Sequence, residues 1–586
     1  MATSNYARYA EAPFNRPEHY PLDRTPDPAL YRPTGPWMGR LALPKPLERA
    51  EVIGAWLVVT HAPDEHRDLL GRQVRLRWEY TPSLNAALWG ATRNVHFDED
   101  TYQAIEAGTV LPERVNGMVD VNPLESLAAA HPLDDVCVRL QGEVRVWREP
   151  GDGGGPILFA TRMPAEITGR FYGLVRFLGP AGGDSYRVRH FSRAAGDFSG
   201  PEELVQLPEV VPDANDTRNS ARAGIERSPC NEQGWYIYGD QDAEGRFVVR
   251  SLAPRQLLRL QQQVFCDGVS ECMDYIKPKA WKGAARKGAA TSALLVGQGK
   301  TPHMARAEWQ VGDRALLIHL FGGIGGNKVE PAAKTPLYWG HTAFGEATVV
   351  DEPLAGEPVF DIVYHQVYAH NTDGLQAGAH HYSRYSGDRQ FGWAGVRPIQ
   401  DMLIKIDGLT SAFSVWGRSV CALDGIIGSL EVMEARYRIA DGRGGTKVGA
   451  TNNCAQDSAQ ALYGAIRKMT KVLALRADVR EQMSDTAQEA GMLTQLDKLG
   501  EELQRVLVPW GSAREDWEYG ITNLGESEGI FGTIGKAVSS WRTMLPPVAA
   551  RAIAEVFLEN GATIWVLRTY QVGGDDPDVE PIVPNV

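Results

Sequence analysis

The sequence predicts an α+β protein of several domains, β-rich at the start and helical at the end. Three observations carry that expectation. At 586 residues the chain is too long for one hydrophobic core, and about three domains is the expected number. Its first two hundred residues are studded with short alternating apolar segments, and 36 prolines and 61 glycines suit strands and loops better than bundles. From residue 454 onward the apolar spacing changes to a helical period.

Taken in order, residues 1–50 hold nine prolines and few apolar runs, which reads as an extended arm ending at Trp37-Met38-Gly39-Arg40-Leu41. Residues 51–215 read as a β-barrel or sandwich. Ala55–Val59, Val74–Trp78, Val136–Leu140, Val144–Trp147, Tyr172–Phe177 and Tyr186–Phe191 each alternate with period two between Gly, Pro and Asp punctuation. A polar linker follows from Pro212 to Arg227. Residues 225–475 then form a central α+β domain that opens on the strands Trp235–Gly239 and Phe247–Arg250. Within it Ala315–Leu320 reads as a buried strand, and the glycine-rich Gly322–Lys328 as a turn, since no helix or Gly-Lys-Ser/Thr follows it. Residues 476–586 are expected to be helices, Val479–Leu507 and Arg542–Glu559, the latter interrupted by Pro546-Pro547, and then a loose acidic tail.

Composition narrows the function classes. A net charge of −13 argues against a general nucleic-acid binder. Six cysteines in this length are too few for a disulfide scaffold, and no pair has zinc-site spacing. No window approaches the ~18 apolar residues of a membrane helix, and residues 1–23 lack the apolar core of a secretory signal. A cytoplasmic soluble protein without a cofactor or an integral membrane segment is therefore expected. Its oligomeric state stays open.

The chemistry is expected at Cys454. A Gly- and Asn-rich loop runs through Asn452 and Asn453 into a helical pattern, and the cysteine stands at the join. A thiol there meets unpaired backbone N–H groups and the positive end of the helix dipole, both of which favour the thiolate. The plainer alternative is a helix start with Asn453 as cap and Cys454 as a small buried residue.

Five of the 13 histidines fall between positions 341 and 381: His341, His365, His370, His380 and His381. Trp339–Gly345 and Phe360–Tyr368 read as neighbouring strands joined through a turn around Pro353–Pro358. Thiol catalysis needs a thiolate, an imidazole within hydrogen-bond reach and a polar group fixing that imidazole. Cys454, His341 and either Gln366 or His365 meet the requirement. His370, beside Asn371, is a rival base. A metal site drawn from these histidines with Asp361 or Asp373 lacks regular ligand spacing, and structural roles in strands and loops are the plainest account of all.

Gly340-His341 and Asn453-Cys454, with His before Cys, resemble the circularly permuted papain-like enzymes, including the lecithin–retinol acyltransferase group. There a Gly-His strand comes first and an Asn-Cys pair opens a later helix. A second resemblance covers more of the chain. His96–Asp98, Asn122–Ala128, Ile167–Tyr172, Gly234–Gly239, Tyr368–Asn371 and Cys454–Tyr463 are similar to a bacterial, notably cyanobacterial, family labelled predicted Abi (CAAX) proteases. That label implies an intramembrane peptidase with a Glu-Glu-x-x-x-Arg motif. The nearest stretch here, Glu501-Glu502-Leu503-Gln504-Arg505, is one residue short and lies on an amphipathic helix, so the glutamate mechanism does not carry over.

The reading is thus a multidomain α+β protein with a central permuted papain-like domain. Its expected activity is that of a cysteine peptidase or amidase, a thiol-dependent hydrolase or acyl transferase on a peptide or protein substrate. Cys454 would attack, His341 would move the proton, Gln366 or His365 would orient it, and the Cys454 N–H with the Asn453 or Gln456 side chain would receive the oxyanion. Asp457, one turn in, opposes thiolate formation unless it faces solvent. The alternatives are a non-catalytic protein-binding scaffold with an inert papain-like core, and a ligand site at Gly322–Lys328.

Overall fold

The computed structural model describes residues 5–79, 121–131, 133–148, 155–334, 338–367, 375–439, 453–507 and 545–585. The chain is a mixed α and β protein. Strands β1 (Tyr31–Pro33), β2 (Met38–Ala42), β3 (Ala55–His61), β4 (Gln73–Trp78), β5 (Cys137–Arg139), β6 (Val144–Trp147), β7 (Ile157–Ala160) and β8 (Ala165–Glu166) come first. Next are β9 (Phe171–Gly182), β10 (Ser185–His190), β11 (Glu202–Gln206), β12 (Trp235–Gln241) and β13 (Phe247–Pro254). The central strands are β14 (Val264–Asp267), β15 (Ala289–Val296), β16 (Arg314–Phe321), β17 (Gly323–Gly326), β18 (His341–Glu352), β19 (Glu357–Gln366), β20 (Gly378–His381) and β21 (Pro398–Lys405). Then come the hairpin β22 (Ala412–Val415) and β23 (Arg418–Cys421), and near the C-terminus β24 (Thr563–Tyr570) and β25 (Val579–Ile582). Among the described residues, the helices of eight residues or more are α1 (Val269–Ile276), α2 (Ala422–Ile439), α3 (Cys454–Leu475), α4 (Ala487–Leu507) and α5 (Pro546–Glu559).

One 15-stranded sheet runs β14-β15-β24-β21-β16-β18-β19-β20-β8-β5-β2-β3-β4-β7-β6. Its middle is apolar on both faces, as a sheet covered on both sides must be. Along β16, Leu316, Ile318 and Leu320 pack with α2, α3, α4 and α5, whereas Ala315, Leu317 and Phe321 join the core shared with a second sheet. That second sheet is β1-β9-β10-β11-β13-β12, and β12 also pairs with β9, so it closes on itself. A third core lies under the N-terminal strands, with Leu57, Leu76, Leu124 and Val138.

The six N-terminal segments read as strands are strands, and the β18–β19 hairpin turns where expected, between Glu352 and Glu357. Strand pairing crosses the expected boundaries at 215 and 225. Strands β9–β11 share a sheet with β12 and β13 across the linker, and β8 joins β20, so both sides of the supposed divide share hydrogen bonds. Pairing also crosses the expected boundary at 475. All eight residues of β24 are buried between β15 and β21, so the C-terminal stretch supplies a core strand. The tail is not loose either: β25 pairs with β17, and Lys328 lies 3.8 Å from Asp576. That pairing accounts for most of the Gly322–Lys328 stretch: Gly323–Gly326 is strand, and Asn327-Lys328 is the expected turn. The proline-rich arm is likewise docked, with Tyr6, Tyr9 and Tyr20 buried and β1 and β2 in the two large sheets. Pro546 and Pro547 begin α5 rather than interrupt it, as first-turn prolines do.

Candidate functional site

The site is built from the start of β18 and the start of α3. Gly340 turns the chain into β18 with φ +67°, and a side chain there would come within 2.4 Å of the Phe321 carbonyl. Only glycine fits both constraints. His341 then lies opposite Phe321 on β16, with ring centroids 4.9 Å apart.

Helix α3 opens as its sequence predicts. Asn453 is the N-cap in extended backbone, and its Oδ1 accepts from the N–H groups of Ala455 and Gln456 at 3.1 and 3.2 Å. The body of α3 lies on the helical face of the sheet, burying Ala459, Leu462, Tyr463 and Ile466. At its head, the Thr342 backbone N–H, one residue beyond His341, works to lower the pKa of the Cys454 thiol. Cys454 and His341 are both half-buried rather than sealed in.

Electrostatics run against a resting ion pair. Burial pushes the Cys454 thiol up to about 11, with Asp457 adding to the rise and the Thr342 N–H opposing it. Burial lowers His341 to about 3, helped by His319 and Arg397. Asp457 does not face solvent: it is 1% exposed, and Tyr437 on α2 donates to its carboxylate.

The residues proposed to orient His341 divide. His365 is fully buried, and its Nδ1 lies 2.7 Å from Glu434 on α2. It sits opposite Phe344, on the helical face with the body of α3, whereas alternation puts His341, the first residue of β18, on the other face. Burial works to lower the His365 pKa, but the Glu434 carboxylate outweighs it and holds the imidazole above its usual value. His365 is therefore Glu434's partner and not an orienting group for His341. Gln366, the next residue, alternates onto the His341 face and is 2% exposed. His370 lies outside the described residues. His380 bonds the Gln376 carbonyl at 2.8 Å, and His381 reaches Asp361 at 3.2 Å. Among the described residues, no group of three or more His, Cys, Asp or Glu is placed to hold a metal ion.

A further polar cluster occupies the His341 face, and the sequence reading passed over it. His319, 0% exposed on β16, directs Nδ1 to Asp401 on β21 at 2.5 Å, and Tyr364 donates to the same carboxylate at 2.6 Å. The His319 Nε2 has no hydrogen-bond partner among the described residues. Tyr385 stacks on Tyr364 at 4.4 Å and meets His319 edge-on at 5.1 Å. Burial raises its phenol well above the ordinary range, with Asp401 and Cys454 contributing. A signal was available: a lone histidine in Ala315–Leu320 and an aspartate in Pro398–Lys405 are polar residues in otherwise apolar buried strands. Buried polar groups of this kind call for a partner or a role.

No protein-family model, curated protein or solved structure matches this chain. Among the described residues, no helix is long and apolar enough to cross a membrane.

Proposed function

We propose that the protein is a thiol-dependent hydrolase or acyl transferase acting on a peptide or amide bond, on a permuted papain-like layout of strand β18 and helix α3. One observation carries the reading: Cys454 stands at the capped head of a 22-residue helix that packs against β18, the strand that begins at His341. Because both groups start neutral, the sulfur attacks the carbonyl carbon as its proton passes to His341 Nδ1 or Nε2, in general-base fashion. The carbonyl electron pair moves onto oxygen, next to the Cys454 N–H at the head of α3. His341 then returns the proton to the leaving amine, and water or an acceptor amine releases the acyl group. His319, fixed by Asp401, takes the part of polar neighbour to His341 that His365 cannot. The likeness to the family labelled predicted Abi (CAAX) proteases agrees with peptide hydrolysis and adds nothing on mechanism.

The scaffold reading keeps one argument, the neutral thiol and neutral imidazole. Cys137 separates the two readings because it is also half-buried, and burial pushes its thiol to about 11 as well. Competitive alkylation with iodoacetamide at neutral pH, followed by peptide mapping, compares them within one molecule. The enzyme reading predicts about a hundredfold faster labelling at Cys454, falling to the Cys137 rate in His341→Ala, a general-base contribution at the low end of the usual range. Equal rates in the unaltered protein favour the inert scaffold.

A further inference from the structure

We propose that the cleft between the β18–β19 hairpin and strands β9 and β12 binds a small alkylammonium cation, with Glu352 as its counter-charge and Tyr172, Tyr236 and Tyr238 as its aromatic walls. The proposal is independent of Cys454. The cleft has a volume of about 640 Å³, in the range of small-molecule sites.

Glu352 is the unusual group. It is 3% exposed at the end of β18 and accepts four hydrogen bonds: Tyr172 Oη at 3.2 Å, Tyr236 Oη at 3.3 Å, Leu354 N at 2.9 Å and Ala355 N at 2.7 Å. Every donor is neutral, and no ion pair reaches this carboxylate among the described residues. The other buried carboxylates of the cleft are compensated. Asp361 is held by both contacts of Arg139, at 2.9 and 2.8 Å, and by His381. Glu346 is held by Arg162 and Arg314. Asp351 stands exposed on the rim. The lining thus carries four carboxylates against two arginines, and the uncompensated charge sits at the buried end.

A buried anion without a cation is costly. Burial accordingly raises the Glu352 pKa, with the two backbone N–H groups opposing it. Beside it the rings cluster, Tyr172 to Tyr236 at 6.1 Å and nearly edge-on, Tyr172 to Tyr238 at 5.6 Å. Aromatic rings grouped around a negative charge are the recognition chemistry of ammonium ions, whose positive charge meets the ring quadrupole. A quaternary or alkylated amine suits this wall better than a metal ion, because the phenol oxygens nearest the carboxylate are already committed as donors to it.

Titration calorimetry on the full chain tests this with choline and with dimethylbutanol, its uncharged carbon isostere. Choline is expected to bind about tenfold or more tightly than the isostere, the size of a desolvated cation–π contact. Glu352→Gln, which keeps an acceptor but removes the charge, is expected to reduce the difference several-fold, and Tyr238→Leu to weaken choline. Cys454→Ser is expected to leave choline binding unchanged. Equal binding of the two probes by the unaltered protein, or binding of neither, overturns the proposal without recourse to any variant.

Discussion

At neutral pH the Cys454 thiol and the His341 imidazole are both uncharged, because each would lose hydration by ionising where it sits. This has a consequence for stability. An unfolded histidine takes up a proton near 6.5, but His341 in the folded chain does so only near 3. Below the unfolded value the unfolded state binds more protons, so stability falls as the pH drops from 6.5 towards 3. His341→Gln, which cannot titrate, is expected to remove on the order of 2 kcal/mol of that acid destabilisation, read from urea melts between neutral and mildly acidic pH. Identical pH dependence in the two proteins contradicts the assignment. Asn453 and Cys454 were legible because helix-cap chemistry is written in adjacent residues. The contact of His319 with Asp401 was not, since it is made between strands 82 positions apart in sequence and depends on the register of β16 against β21.

Helix α3 and the β18–β19 hairpin are the elements that bring the site together. Each end of α3 depends on a different interaction: packing of Leu462, Tyr463 and Ile466 fixes the body, while the Asn453 side chain fixes the head. Asn453→Ala is therefore expected to cost about 1 kcal/mol, measured as a lower urea midpoint. It is also expected to slow Cys454 alkylation by iodoacetamide, because the thiol loses its fixed approach to the Thr342 N–H. Asn453→Asp, which keeps the acceptor, is expected to restore the stability; a stable Asn453→Ala protein with unchanged alkylation refutes the role given to the cap. The hairpin was readable from period-two alternation and the prolines at its turn. The faces of its side chains were harder. His365 and Gln366 are adjacent in sequence yet belong to opposite faces, and only the pairing of His365 with Phe344 tells which one looks towards Glu434.

For the whole molecule, strand content followed from local pattern, whereas connectivity did not. Pairings such as β8 with β20, and β24 between β15 and β21, join segments hundreds of residues apart, and nothing in a single strand's sequence names its partner. The large sheet therefore merges what composition divides into an N-terminal, a central and a C-terminal domain. Deleting residues 561–586 removes Ile564, Trp565, Val566 and Leu567 from the two central cores. Each such side chain contributes roughly 1.5–3 kcal/mol of burial, so the deletion is expected to abolish cooperative unfolding rather than trim a tail. A truncated chain with the cooperative thermal transition of the full chain contradicts the architecture.

The central claim, that Cys454 carries out acyl transfer with His341 as its base, is tested most directly by incubating the full chain with an activated ester such as p-nitrophenyl acetate. The burst of nitrophenolate and the site of the acyl group are then read by absorbance and peptide mass spectrometry. The account predicts a burst of one equivalent per chain, with the acyl group on Cys454, absent in Cys454→Ser and slowed in His341→Ala by at least about a hundredfold. Acyl groups spread over Cys137, Cys454 and exposed lysines, at rates indifferent to His341→Ala, would contradict it.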